Sequence, residues 1–318
     1  PTTVASLSKA IKNIIKGYME ESCDTLDKLD FMLNDFGSRG VSSLESSELG
    51  GMAHLISFVG TDNLPAVVAA RRYYGAEMPG FSIPAAEHST MTAWGRDREV
   101  DAYANMLDQF AKPGALVAVV SDSYDLYNAI TNIWGNQLQQ KVRDSGATVV
   151  IRPDSGDPVQ VVSDTVELLM EKFWYTFNEK GYKVLPDCVR VIQGDGIDID
   201  SIPLILGEML RRRLSVDNIV FGMGGGLLQH VNRDTMRFAM KASAIMGEDN
   251  VWKDVYKDPV TDPGKRSKAG RLALSPSRGT VREDSLQKDE GNLLETVFRN
   301  GVMFLGSSWE EIKARSEI

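Results

Sequence analysis

Residues 148–177 read TVVIRPDSGDPVQVVSDTVELLMEKFWYTF. The stretch opens as a short β-branched apolar run, passes through the polar loop RPDSGDP, and continues from Pro158 with apolar residues at 3.6-residue spacing. Strand, loop and helix in that order form the repeating unit of a parallel sheet. Six more apolar runs end in a polar or Gly-rich loop. They are FMLNDFGSRG from Phe31, HLISFVGTDN from His54, GFSIPAAEHST from Gly80, LVAVVSDSYD from Leu116, VRVIQGDGID from Val189 and NIVFGMGGG from Asn218. Helical patterns such as NLPAVVAARRYYG lie between them. Seven such units fit a (β/α) barrel better than an open doubly wound sheet, although periodicity alone does not close the ring.

Outward from this core, residues 1–30 predict an amphipathic helix, AIKNIIKGYMEES, leading into the first strand, and residues 31–244 predict the barrel. After Ala244 the pattern changes to VWKDVYKDPVTDPGKRSKAGRLALSPSRG, rich in Pro, Gly and Lys/Arg, then to a short helix, SWEEIKARSEI; residues 245–318 are expected to form part of a smaller domain. The 318 residues are 42% apolar and 25% charged, the proportions of a globular chain, which excludes disorder, collagen and coiled coil. A net charge of −9 excludes a general field for nucleic acid or an anionic membrane, so an anionic ligand needs a local cluster of Arg and Lys. Two cysteines, Cys23 and Cys188, are too few for a disulfide framework. No run approaches the roughly 20 apolar residues of a membrane span, and the polar start has no signal-peptide character. The expectation is a cytoplasmic protein.

In α/β barrels the chemistry gathers where the strands end. FGMGGGLLQHVNRD reads as a phosphate-binding turn, since Gly224, Gly225 and Gly226 let backbone N–H groups approach an anion; tight turns use glycine as well. A helix expected from Leu227 would bring Arg233 and Lys241 near one face, unless both are merely solvated charges. In RPDSGD, Arg152 and Asp154 flank a proline that keeps the segment extended, so both can reach one mouth to bind an anion and a ribose hydroxyl or metal. Asp195 lies between glycines, where a sugar can approach the backbone, and Asp122 is a third strand-end carboxylate. Together these carboxylates suit Mg²⁺ held jointly with a diphosphate; singly, each suits a helix cap better. His88 ends a strand, where an imidazole can titrate or accept a group, whereas His54 and His230 read as structural.

Eight motifs closely resemble the nicotinamide phosphoribosyltransferases. In chain order these are DFGSRGVSS, GTDN, PAAEHSTMTAWG, VVSDSYDLYNA, IRPDSGDP, RVIQGDGIDI, FGMGGGLLQ and KDPVTDPGKRSKAGRL, between Asp35 and Leu274. The resemblance implies transfer of phosphoribose from phosphoribosyl pyrophosphate to nicotinamide, giving nicotinamide mononucleotide and pyrophosphate in NAD salvage. It implies the type II phosphoribosyltransferase fold, an α/β barrel beside a smaller mixed domain, and a homodimer with shared active sites. By motif, Phe36 would stack on the pyridine ring, Asp62 would accept the carboxamide N–H₂, and Arg152 would touch base and diphosphate. Arg39 and His88 would also meet the diphosphate. Asp154, Gly194 and Asp195 would hold the ribose; Gly224 and Gly225 would hold the 5′-phosphate, helped by Arg233 and Lys241 from the neighbouring subunit. Asp122 and Asp154 are the expected Mg²⁺ ligands. His88 would be phosphorylated by ATP, coupling ATP hydrolysis to synthesis, with Lys265 and Arg271 serving the ATP phosphates.

Two departures from the family pattern stand out. Family members begin well over a hundred residues earlier, so the smaller domain is expected to be incomplete here and to need an N-terminal segment, present elsewhere or removed. Ala239 stands where the family usually has Ser, which removes one phosphate contact. The nearest rival activity is nicotinate phosphoribosyl transfer, against which Asp62 argues because a carboxylate facing a carboxylate is repulsive. A non-catalytic ligand-binding subunit is the rival from another class.

Overall fold

Asp157 and Pro158 show how the local sequence sets an element. The Asp157 carboxylate accepts the Val159 N–H at 3.1 Å, Pro158 occupies the first helical turn, and the helix then buries Val162, Val166, Leu169 and Phe173 at helical spacing. The computed structural model describes every residue except Arg233, Leu305 and Ile318. The chain divides into two units, Pro1–Thr235 with Ser308–Ile318, and Met236–Ser307.

The first unit runs α1 (Thr2–Ser22), β1 (Leu33–Asp35), α2 (Leu44–His54), β2 (Gly60–Thr61), α3 (Leu64–Tyr74), α4 (His88–Thr92), α5 (Glu99–Phe110) and β3 (Leu116–Val120). It continues through α6 (Leu126–Asn128), a π-helical stretch (Ala129–Gln137), α7 (Gln139–Asp144), β4 (Thr148–Arg152), α8 (Pro158–Phe173), and a hairpin of β5 (Thr176–Phe177) and β6 (Lys183–Val184). β7 (Val189–Gln193), α9 (Ser201–Arg211), β8 (Ile219–Met223) and α10 (Gly225–Leu228) follow.

Six strands pair in parallel in the order β2-β1-β8-β7-β4-β3. The run Phe81–Ala86 closes the ring. Phe81 bridges Gly60 of β2, with Phe81 N–H on Val59 O at 2.7 Å, and Ala85 bridges Ala118 of β3, with Ala118 N–H on Pro84 O at 2.9 Å. All seven runs singled out in the sequence thus stand side by side in chain order. The third makes bridges rather than a regular ladder; Pro84 in its middle has no N–H to give.

Inside the ring, Ala118, Val150 and Ile192 form a layer against which Ile83, Val220 and Phe36 pack. The alternate residues Val117, Val149, Val191 and Phe221 are fully buried on the other face, as expected of parallel strands covered on both sides. His54 is sealed between α2 and its neighbours. Its Nδ1 lies 2.9 Å from Ser8 Oγ and its Nε2 3.3 Å from Leu33 O, and burial pushes its pKa down to about 4.

The second unit contains the antiparallel hairpins β9 (Ala244–Met246) with β10 (Trp252–Asp254), β11 (Leu272–Ser275) with β12 (Gly279–Arg282), and β13 (Phe298–Arg299) with β14 (Val302–Met303). The final helix, α11 (Trp309–Ser316), belongs to the first unit, whereas the sequence reading placed all of 245–318 in the smaller domain. The reason is Trp309, which is buried with Met52, Leu55, Ala66 and Ala70 and lies 6.1 Å from the Tyr74 ring. Lys12 adds ion pairs to Glu317 at 2.7 Å and Asp30 at 2.9 Å. Among the described residues, no helix is long and apolar enough to cross a membrane.

Candidate active site

Because the strands are parallel, their C-terminal ends open on one side, and there a cavity of about 680 Å³ is formed. The loop after β1 contributes Phe36 and Arg39, the turn after β2 contributes Asp62, and the end of the third run contributes Glu87 and His88. Arg152 and Asp154 arrive from β4, Gly194 and Asp195 from β7, and Gly224 and Gly225 from β8. With Gly226, eleven of the candidate site residues singled out from sequence therefore line one cavity.

Phe36 sets the floor of this mouth. Its ring lies over Gly222 so closely that any Cβ there would overlap it, and a Cβ on Gly194 would be 3.5 Å away. Glycine at position 222 is thus a packing requirement, whereas the contact of the ring at Gly194 is an ordinary van der Waals distance. Asp62 is exposed on the rim and accepts the Ser82 hydroxyl.

His88 does not cap its helix. Glu87 does, accepting the Ser89 N–H at 2.6 Å while its own N–H donates to Thr90 Oγ1 at 3.3 Å, and the Ser89 hydroxyl holds the Glu87 carboxylate below its usual range. The His88 ring is left to face Asp154 at 3.4 Å and Asp122 at 3.8 Å through Nε2, with Nδ1 3.4 Å from Ser123 Oγ. Arg152 Nη2 lies 3.7 Å from the same Asp154 oxygen. Among the described residues, Asp122 Oδ1 and Arg152 Nε are buried without a hydrogen-bond partner. Such groups carry a desolvation cost of about 1–3 kcal/mol each that a bound ligand or ion would relieve. No group of three or more His, Cys, Asp or Glu residues suited to a metal ion occurs among the described residues. Two carboxylates flanking His88 nevertheless match the way Mg²⁺ is usually held, by one or two carboxylates plus phosphate oxygens.

Two expectations need correction, the helix from Leu227 and the structural reading of His230. The helix expected from Leu227 is a four-residue turn, Gly225–Leu228, that ends well before Lys241; the glycines that suit close approach to an anion are poor helix formers. Arg233 lies outside the described residues. Lys241, Lys265 and Arg271 belong to the second unit, where Lys265 Nζ is 3.1 Å from Asp262 and Arg271 Nη2 is 2.5 Å from Glu283. His230, read as structural, lines the cavity, because the short turn brings its N–H back to Gly225 O at 2.8 Å. Asp35 was missed altogether. It is a wholly buried carboxylate at the end of β1, and its strand-end position was the available signal.

The sequence pattern of the nicotinate phosphoribosyltransferase (NAPRTase) family matches residues 31–302. A protein of Xanthomonas campestris pv. campestris named nicotinamide phosphoribosyltransferase is 52% identical over 326 residues, covering 100% of this chain and 69% of its own length. Proteins of the same name from Acinetobacter baylyi and Mycoplasma pneumoniae are 33% and 35% identical, over 99% and 85% of this chain and 66% and 60% of their own lengths. The chain thus spans about two thirds of the length of these curated relatives.

Proposed function

The chain belongs to the nicotinate phosphoribosyltransferase family, and on that premise we propose that its barrel mouth transfers the phosphoribosyl group of phosphoribosyl pyrophosphate to nicotinamide in NAD salvage. The observation that carries this reading is the meeting, in one cavity, of an aromatic floor, a rim carboxylate, an arginine and two strand-end glycine turns. An aromatic base, its amide, a diphosphate and a phosphorylated sugar each find matching chemistry there.

The displacement asks for placement rather than covalent help. The pyridine nitrogen attacks the anomeric carbon as its bond to pyrophosphate oxygen breaks, through a cationic sugar. Phe36 stacks on the base and Asp62 accepts the amide N–H₂, which aligns the ring nitrogen. No general base is needed, because that nitrogen carries no proton. Arg39 and Arg152 take charge developing on the diphosphate, while Asp154, Gly194 and Asp195 hold the ribose and tolerate its positive charge. Gly224 and Gly225 offer backbone N–H groups to the 5′-phosphate. Asp122 and Asp154 would hold a Mg²⁺ ion, which would supply further neutralisation of the leaving group.

His88 is assigned a coupling role. Its ring nitrogen attacks the γ-phosphorus of ATP, the bond to the β-phosphate oxygen breaks, and ADP leaves; water later removes the phosphoryl group. The same reading includes a homodimer, with Arg233 and Lys241 serving the 5′-phosphate and Lys265 and Arg271 the ATP phosphates. Arg152→Ala tests the site directly. It is expected to lower kcat/KM for phosphoribosyl pyrophosphate about 100-fold, the loss of two charge-assisted bonds, with an unchanged melting temperature. A variant that melts early yet turns over normally when cold would make Arg152 structural and the site misplaced.

A further inference from the structure

Asp35 is the last residue of β1 and has no solvent exposure. Its Oδ1 accepts the Gly37 N–H at 2.8 Å, its Oδ2 accepts Asn63 Nδ2 at 2.9 Å, and its backbone carbonyl accepts the Asp62 N–H at 3.0 Å. One residue therefore grips both the loop carrying Phe36 and Arg39 and the turn carrying Asp62. The grip extends further. Asn63 Nδ2 also donates to Ser47 O at 3.0 Å, Ser47 Oγ donates to Asn63 Oδ1 at 2.9 Å, and Ser47 Oγ lies 2.7 Å from Ser38 Oγ on the cavity wall. Helix α2 seals the corner, for a Cβ on Gly51 would sit 2.8 Å from Asp35 Oδ2.

The partners of this carboxylate are neutral N–H donors. Burial raises its pKa and the neighbouring Asp62 charge adds to the rise, while the bonds from Gly37 and Asn63 oppose it. Asp62, being exposed, is screened by water; a charge beneath it in the protein interior is screened far less. We propose that Asp35 is a second determinant of base selection, holding Asp62 and the Phe36 loop in register and adding negative potential that admits a neutral carboxamide and repels a carboxylate. This rests on the assignment of Asp62 as the amide acceptor.

The test is the ratio of kcat/KM for nicotinamide to that for nicotinate. Asp35→Asn, with Asp62 intact, is expected to lower the ratio about tenfold, the effect of one nearby interior charge. Asn63→Ser keeps the carboxylate and loosens the grip, so both bases should lose turnover in parallel with the ratio retained. If Asp35→Asn lowers both bases equally, or if Asn63→Ser shifts the ratio as far, the selection role is overturned. Should Asp35→Asn not fold, the exchange Asp35→Asn with Asn63→Asp carries the test, since it restores a donor facing an acceptor and keeps a charge in the corner. Turnover with the preference kept supports the proposal, and turnover with the preference lost overturns it. A wild-type protein that uses neither base overturns the functional reading itself, and is seen before any substitution is made.

Discussion

Asp62 is the residue on which the choice between amide and acid turns first. Replacing it with Asn keeps a polar partner and removes the charge, so nicotinamide should lose and nicotinate gain. A charge-assisted hydrogen bond contributes about 1.5–3 kcal/mol, or roughly 10- to 150-fold in relative kcat/KM. Competition between the two bases reads this directly, and unchanged selectivity in Asp62→Asn would remove the assignment. His88 separates coupling from chemistry. His88→Ala should abolish ATP hydrolysis and the gain it brings, yet leave slow mononucleotide synthesis, because the displacement needs no acid or base. Wild-type protein incubated with γ-labelled ATP should carry an acid-labile, base-stable phosphate; a variant hydrolysing ATP at the wild-type rate would end the coupling role. Much of this site was legible because one fold rule, that chemistry gathers where apolar runs end, pointed to His88, Arg152, Asp154, Asp195 and the Gly224 turn, whereas Phe36 and Asp62 came from the resemblance of their motifs to the family. Asp35 also ends a strand and lay within the rule, but a carboxylate buried there looks, in sequence, like any other loop aspartate. His230 escaped because its distance from Gly225 was counted along a helix that stops at Leu228.

At the scale of elements, the close passage of β8 beneath Phe36 makes a sharp prediction. Gly222→Ala must push the ring or the strand aside, with an overpacking cost of about 1–3 kcal/mol, and should raise the KM for the base more than that for phosphoribosyl pyrophosphate. Equal effects on both substrates would show that Phe36 does not stack on the base. His54 ties α2 to α1 and β1, and its depressed pKa gives the fold a pH dependence. The unfolded chain takes up this proton below pH 6.5, while the folded protein keeps the ring neutral to about pH 4. Its contribution is therefore fully present above pH 6.5 and is lost as pH falls towards 4, with about 2 kcal/mol gone by pH 5. Urea midpoints measured between pH 7.5 and 5 should fall in the wild type and run flatter in His54→Gln; parallel curves would remove His54 from this role. The barrel strands were readable because apolar, β-branched runs ending in Gly or Asp have few other uses. Ring closure was not, for it depends on two bridges made by the Pro-containing third run rather than on any period.

For the whole first unit, the final helix matters more than its length suggests. Trp309 fills the face of α2 and α3, and Trp309→Ala should cost about 3–5 kcal/mol and lower the melting temperature of that unit. A melting curve unchanged by this substitution would mean that α11 contributes nothing to the barrel. No sequence pattern announced that the chain returns there after the hairpins of the second unit, because an eight-residue amphipathic helix fits many surfaces. The central claim, that this barrel mouth joins nicotinamide to phosphoribose, is tested most directly in a single competition. Equal amounts of isotope-labelled nicotinamide and unlabelled nicotinate are mixed with the protein, phosphoribosyl pyrophosphate and Mg²⁺, and the mononucleotides are resolved by mass. The account predicts that labelled nicotinamide mononucleotide dominates the product; nicotinate mononucleotide in excess, or no mononucleotide at all, would contradict it.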